Sequence, residues 1–232
     1  MSNVVCLVSG GLDSATVLGL MLAEGHYVFP RTFNYGQLHK RELESAQQVV
    51  WYYQRMFPAQ LATLEVVELL FLKKLGGSAL TDPTLAVPLQ RTDGEISKKI
   101  PITYVPGRNT ILLSIALSIA EVKNADGVAI GVNALDYSGY PDCRPEYIDA
   151  MNGVAKLSSK RAVEGRPITI LAPLLHMTKR DIIVKGTEIG VPYELTWSCY
   201  QGGGKPCGKC DSCILRARGF EEAGLKDPSL SS

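Results

Sequence analysis

Residues 9–14 read Ser-Gly-Gly-Leu-Asp-Ser and follow directly on an apolar, β-branched run that starts at Val4. Two adjacent glycines remove side chains where backbone N–H groups must approach a ligand, and a helix starting just beyond adds free donors and positive partial charge. Ser9, Gly10, Gly11, Leu12, Asp13 and Ser14 therefore predict an anion cradle with two hydroxyls, and Asp13 is placed to hold Mg²⁺ directly or through water. The competing reading is a glycine-rich strand-to-helix turn with a Ser/Asp cap. GxxxxGK[ST] is absent, so this is not a Walker A loop.

A second cluster lies near the other end: Cys199, Cys207, Cys210 and Cys213, with Gly203, Gly204 and Gly208 to turn the chain between them. A disulfide framework would spread pairs over the chain, so this clustering predicts metal ligation in a reducing, cytoplasmic setting. Four thiolates with no nearby histidine predict a closed tetrahedral Zn²⁺ site of structural type, with an iron–sulfur cluster as the main rival. Cys6, inside the first predicted strand, reads as a small core residue. Cys143 lacks a second free partner, which disfavours sulfur transfer.

Residues 131–147 are dense in Asp, Tyr, Arg and turn formers and follow a predicted strand. Ligands of open parallel sheets sit outside the carboxyl ends of the strands, where this segment must lie. A polar surface loop whose tyrosines merely pack would leave the same trace. Arg108 and Lys179 are candidates for neutralising phosphate or carboxylate. The alternatives are a loop cap for Arg108 and an exposed first helical turn for Lys179. His39 is a candidate for proton transfer or an ordinary helix-surface histidine.

These groups need a frame. Short β-branched runs at residues 4–8, 27–33, 61–67, 127–132 and 168–172 alternate with helical patterns at 15–23, 38–56, 110–122, 145–159 and 179–189. That alternation predicts an α/β fold, an open and mostly parallel sheet with helices on both faces. Thr178 and Asp181 form a capping-box signature, and Gly190 and Pro192 end the helix between. The 110–122 segment is apolar nearly all round and is expected to be buried as a central helix. Residues 73–101 are rich in Gly and Pro with weak periodicity and read as a lid. Residues 1–196 are expected to form the main domain, and 197–232 a small metal-binding module packed on it. A formal charge of +1 with no long like-charge run advertises neither a nucleic-acid tail nor a membrane patch, so small-molecule partners are expected.

The Ser9–Ser14 motif after a strand resembles the PP-loop of the ATP pyrophosphatases. Taken with Thr32-Phe33-Asn34-Tyr35-Gly36-Gln37 and His39, Val105-Pro106-Gly107-Arg108-Asn109, Ser138-Gly139-Tyr140-Pro141-Asp142-Cys143-Arg144 and the cysteine tail, the chain resembles the 7-cyano-7-deazaguanine synthase family of queuosine and archaeosine biosynthesis from Val4 to about Phe220. The resemblance implies an adenine nucleotide alpha hydrolase-like fold, and use of ATP with Mg²⁺ to adenylate first a carboxylate and then the resulting amide. The product is a nitrile, made from 7-carboxy-7-deazaguanine and ammonia. It implies catalytic roles for Asp13, Ser14, Arg108 and Lys179, and substrate contacts from Tyr35, Gln37, Asp136, Tyr137, Tyr140, Asp142 and Arg144. It also implies a homodimer. Two rivals remain: a homologous ligase that stops at the amide or uses another amine, and a zinc-stabilised nucleotide-binding module without catalysis.

Overall fold

A computed structural model of the protein describes residues 1–98, 100–135 and 139–230. Among them, strands β1 (Asn3–Leu7), β2 (Tyr27–Asn34), β3 (Glu65–Glu68), β4 (Gly127–Ala129) and β5 (Thr169–Leu171) pair in parallel throughout, in the order β3-β2-β1-β4-β5. Val4 of β1 lies opposite Val28 on one side and Gly127 on the other, so β1 is central. The order reverses between β1 and β4, and a crevice opens there beyond the carboxyl ends of the strands.

Strand alternation splits the core in two. Val4, Cys6 and Val8 face helices α1 (Leu12–Ala23), α2 (Arg41–Met56), α8 (Lys179–Glu188) and α9 (Asp211–Glu222), while Val5 and Leu7 face α3 (Phe71–Leu75), α5 (Arg108–Val122) and α6 (Pro145–Leu157). Two short helices, α4 (Asp93–Lys98) and α7 (Lys160–Val163), complete the set among the described residues. No helix of the described residues is long and apolar enough to cross a membrane.

Several elements depart from the sequence expectation. The strand expected over 61–67 is interrupted: Leu61 makes one bridge to Val28, and pairing resumes only at Glu65. Leu61 and Leu64 are both buried in the same core, a spacing of three that a strand of period two cannot satisfy. The helix expected from residue 38 starts at Arg41, because Gly36 turns the chain at φ 78° and Leu38 N–H pairs with the Leu80 carbonyl at 2.9 Å. Nor is α5 buried all round: Thr110, Ser114, Ser118 and Val122 form an exposed line. The hydroxyls of Ser114 and Ser118 donate to carbonyls four residues back, at 2.8 and 3.3 Å, and so need no buried partner.

The 73–101 segment is strapped down. Ala79 N–H bonds the Ile102 carbonyl at 2.9 Å, Gln90 N–H bonds the Lys209 carbonyl at 2.7 Å, and Arg91 Nε donates to Asp211 at 3.0 Å. The last two bonds tie it to the C-terminal cysteine segment.

Candidate active site

After β1 the chain turns through Ser9, Gly10 and Gly11 into α1. Gly10 adopts φ 85°, and a Cβ there would lie 2.2 Å from the Glu42 carbonyl oxygen and 2.6 Å from Ala46 N. From the other side Gly131, just past β4, comes so near that its Cβ would lie 3.0 Å from Ser14 N. The loop is clamped between α2 and the β4 exit. Internally, Ser9 N–H donates to Ser14 Oγ (3.1 Å), Gly11 N–H to Ser9 Oγ (3.3 Å) and Ser14 Oγ to the Gly11 carbonyl (3.0 Å). Trp197 N–H donates to the Gly10 carbonyl at 2.9 Å, fastening the loop to the C-terminal segment. The first intrahelical bond runs from Ala15 N–H to the Gly11 carbonyl, so the amides of Leu12, Asp13 and Ser14 precede it at the positive end of α1.

A cavity of about 270 Å³ opens in front of this loop, lined by Ser9, Gly11, Leu12, Asp13 and Ser14. Lys179, Arg108, Tyr35, Gln37 and Tyr140 share the wall, so the fold gathers these predicted residues at one place. Gly10 forms the outer turn of the loop, against α2.

Lys179 sits just inside the capping box that Thr178 and Asp181 close around the α8 N-terminus. Its side chain is only 13% exposed, not solvated on a free first turn, and its ammonium bonds both Asp13 carboxylate oxygens at 2.7 and 2.8 Å. Gly219 of α9 makes room for its stem: a Cβ there would lie 2.4 Å from Lys179 Cγ. Arg108, the first residue of α5, donates to Tyr35 Oη at 3.3 Å, its guanidinium 5.5 Å from that ring. Burial works against its charge, but Tyr35, Tyr140, Glu42 and Asp142 around it hold its pKa above the ordinary arginine value. Tyr140 hydrogen-bonds Thr103 at 2.9 Å and packs on Tyr104. Gln37 accepts the Tyr35 N–H at 3.0 Å, fixing the turn that presents both.

Other predicted residues lie elsewhere. Asp142 is buried behind the cavity wall, where its carboxylate accepts the Asn109 N–H at 3.1 Å while Asn109 Nδ2 donates to the Asp142 carbonyl at 3.0 Å. Gly107 precedes α5 and offers no side-chain cap, so Asp142 supplies that acceptor from a distant loop. Burial pushes its pKa up. Arg144 is exposed at the start of α6 and does not line the cavity. Asp136 and Tyr137 lie outside the described residues. Cys143 does reach the wall, but burial, then Asp142, push its thiol up to about 12, well away from thiolate. His39 is packed under Gly202, whose Cβ would fall 1.9 Å from the imidazole, and it does not line the cavity.

The sulfurs of Cys199, Cys207, Cys210 and Cys213 all lie within 4.8 Å of one another. Tetrahedral ligands about 2.3 Å from one ion stand about 3.8 Å apart, so the quartet fits a single ion. The amides of Gln201 and Cys207 point at Cys199 Sγ (3.4 and 3.3 Å), and those of Lys209 and Cys210 at Cys207 Sγ (3.4 and 3.3 Å), as donors that stabilise thiolates. Leu89 pairs with Cys210 across a bridge, so the 73–101 strap braces the cluster.

Comparison with known proteins gives this geometry a family. The family described as queuosine biosynthesis protein QueC matches residues 3–224. The chain belongs to this family. Proteins called 7-cyano-7-deazaguanine synthase from Saccharophagus degradans and Trichodesmium erythraeum are each 52% identical to it, covering 99% and 97% of this chain and 98% and 99% of theirs. One from Acetivibrio thermocellus is 48% identical over 98% of this chain and 96% of its own. Among solved structures, a 4-thiouridine synthetase–RNA complex with bound ATP superposes with a TM-score of 0.52 at 20% identity, covering 95% of this chain and 53% of that one. That likeness is one of fold.

Two charged wall residues, Glu42 and Arg216, escaped the sequence reading. Glu42 sits in the first turn of α2, inside a charged and unremarkable run, and only the approach of Gly10 brings it to the cavity. Arg216 of α9 reaches the wall while its guanidinium is held by Asp227 (2.7 and 2.9 Å) and Thr196 (2.7 Å). An arginine among Leu, Arg and Glu gives no spacing signal.

Proposed function

We propose that this protein converts 7-carboxy-7-deazaguanine and ammonia to 7-cyano-7-deazaguanine, consuming two ATP and releasing AMP and pyrophosphate each time. The observation that carries this reading is the PP-loop at the β1/β4 crevice, opening on a cavity that also holds Lys179 and Arg108, in a chain of the QueC family. The amides of Leu12, Asp13 and Ser14 with the Ser9 and Ser14 hydroxyls hold the β- and γ-phosphates as the leaving group. Asp13 would hold the Mg²⁺ that neutralises the triphosphate there. In this reading Lys179 and Asp13 change partners when nucleotide enters, Lys179 turning to phosphate and Asp13 to the metal. Arg108 steers the substrate carboxylate, and the Tyr35 and Tyr140 rings with the Gln37 amide flank the base. Asp136 and Tyr137 are assigned to the donor edge of the deazaguanine, which one carboxylate can hold in bidentate fashion. No side-chain nucleophile is needed, so catalysis is positioning and charge stabilisation.

The four-cysteine centre is assigned to structural Zn²⁺, because four thiolates leave no coordination position open. Residues 197–232 act as a module packed on 1–196, and a cytoplasmic homodimer completes the proposal. The test is incubation with the carboxylate, ammonium and Mg-ATP, followed by mass spectrometry of base and nucleotide. Nitrile with two AMP per product is expected. An amide with one AMP would make this the ligase that stops halfway, and ADP with phosphate as primary products would overturn adenylation.

A further inference from the structure

Glu42 lines the cavity and has no part in the steps above. Its main chain is what Gly10 presses against, so it flanks the phosphate cradle. Among the described residues no hydrogen bond or ion pair reaches its carboxylate, and its electrostatic neighbours are Arg108 and Tyr35. A carboxylate left unpartnered on a cavity wall demands a donor, and here the ligand must bring it. The triphosphate and the substrate carboxylate are anionic and cannot. Ammonium can, and so can the N–H edge of the base. Position favours ammonium. The carbon to be attacked is joined to the α-phosphate and must sit next to the cradle, whereas the donor edge of the base lies at the far end of the ring system.

We propose that the Glu42 carboxylate binds ammonium and takes one proton from it, handing ammonia to the activated carbon. Ammonium gives one proton to the carboxylate, and the nitrogen lone pair forms the C–N bond. The C–O bond to phosphate then breaks and AMP leaves with the electron pair, while the surplus proton on nitrogen passes to water. Glu42 returns its proton to solvent through the cavity mouth. Burial supports this role by pushing the carboxyl up to about 7, with Arg108 drawing it part of the way back. That raises its proton affinity towards that of ammonia.

The inference rests on the proposed function, and the test separates the two. Adenylation needs no ammonia, so pyrophosphate exchange into ATP, dependent on 7-carboxy-7-deazaguanine, reads nucleotide and base binding alone. Glu42→Gln should keep that exchange within about twofold, while nitrile formation from ammonium falls by about 10²-fold or more, the usual scale for a positioned base. Hydroxylamine, already neutral at pH 7, should restore attack and yield the hydroxamate at a rate near the wild type's. Glu42→Asp, which keeps the carboxylate, should retain part of the ammonium-dependent rate. Ammonium-dependent turnover unchanged in Glu42→Gln overturns the inference. So does loss of exchange with a raised KM for the carboxylate, which would assign Glu42 to the base. Absence of exchange in the wild type would instead remove the proposed function.

Discussion

The closeness of Gly10 to α2 allows the cost of one methyl group to be worked out. Gly10→Ala meets two penalties. A left-handed φ of 85° costs an L-residue about 1–2 kcal/mol. The new Cβ would also stand 2.2 Å from the Glu42 carbonyl oxygen and 2.6 Å from Ala46 N, both main-chain atoms of α2 that no rotamer change can clear. Forcing such an insertion costs about 1–3 kcal/mol more. Gly25→Ala isolates the first penalty, since Gly25 has φ 81° and a methyl added there would meet nothing within 4 Å. Urea denaturation should therefore show Gly10→Ala as less stable than Gly25→Ala by about 1–3 kcal/mol. AMP release should fall in Gly10→Ala alone, because the loop must shift to relieve the clash. Equal destabilisation of the two variants would refute the packing of the loop against α2 and remove the argument that places Glu42 beside the cradle.

Lys179→Met keeps a stem beside Gly219 and removes only the ammonium, so AMP release should drop about 10²–10³-fold with a stability change of about 1 kcal/mol; turnover close to wild type would take Lys179 out of the site. Cys207→Ser should lose its bound metal, read by elemental analysis, together with several degrees of Tm, since ligation energy is folding energy; a variant that kept both would break the assignment. Glu42 also predicts a pH effect. With its folded pKa raised from 4.5 to about 7 by burial, the folded state holds a proton that the unfolded state has lost, so wild-type stability falls as pH rises through that window. The loss is at most about 3 kcal/mol, less to the extent that cavity water screens the carboxylate, and Arg108 and Tyr35 are the groups facing it. Glu42→Gln should flatten this part of the urea-midpoint profile, and a slope unchanged by the substitution would count against burial of the carboxyl.

What the sequence made legible was what repeats in a regular way. β-branched runs alternating with helical patterns led to the parallel sheet, and Ser9–Ser14 and the cysteine spacing pointed to the two constellations. What stayed hidden depends on contacts between distant segments. Asp142 looked like a ligand contact because it sits among Tyr and Arg, yet its neighbour is the bare start of α5, which Gly107 leaves uncapped. Lys179 is nearly buried because α9 crosses over it at Gly219, and nothing in residues 179–189 encodes that crossing. Helix α9 itself escaped notice because its buried positions, including Leu215, Gly219 and Phe220, are interleaved with Arg and Glu and preceded by turn-forming glycines.

The C-terminal segment does more than close the chain. Trp197 N–H holds the Gly10 carbonyl, Gly219 shapes the path of the Lys179 stem, and Arg216 stands on the cavity wall while Asp227, Thr196 and the Tyr193 carbonyl hold its guanidinium. These contacts come from both sides of the cysteine quartet, Trp197 before it and Gly219 after it. From Tyr200 to Lys209, ahead of α9, the chain runs through turns and glycines, which cannot fix a spacing unaided. One ion held by the four sulfurs, which lie within 4.8 Å of one another, would set the distance between Trp197 and α9 and so help decide where the Ser9–Ser14 loop and Lys179 stand. Turnover in Cys207→Ser should accordingly fall even at temperatures well below its Tm, where loss of folded protein no longer accounts for the change. If the folded variant turned over at the wild-type rate, the quartet would be a staple for stability alone.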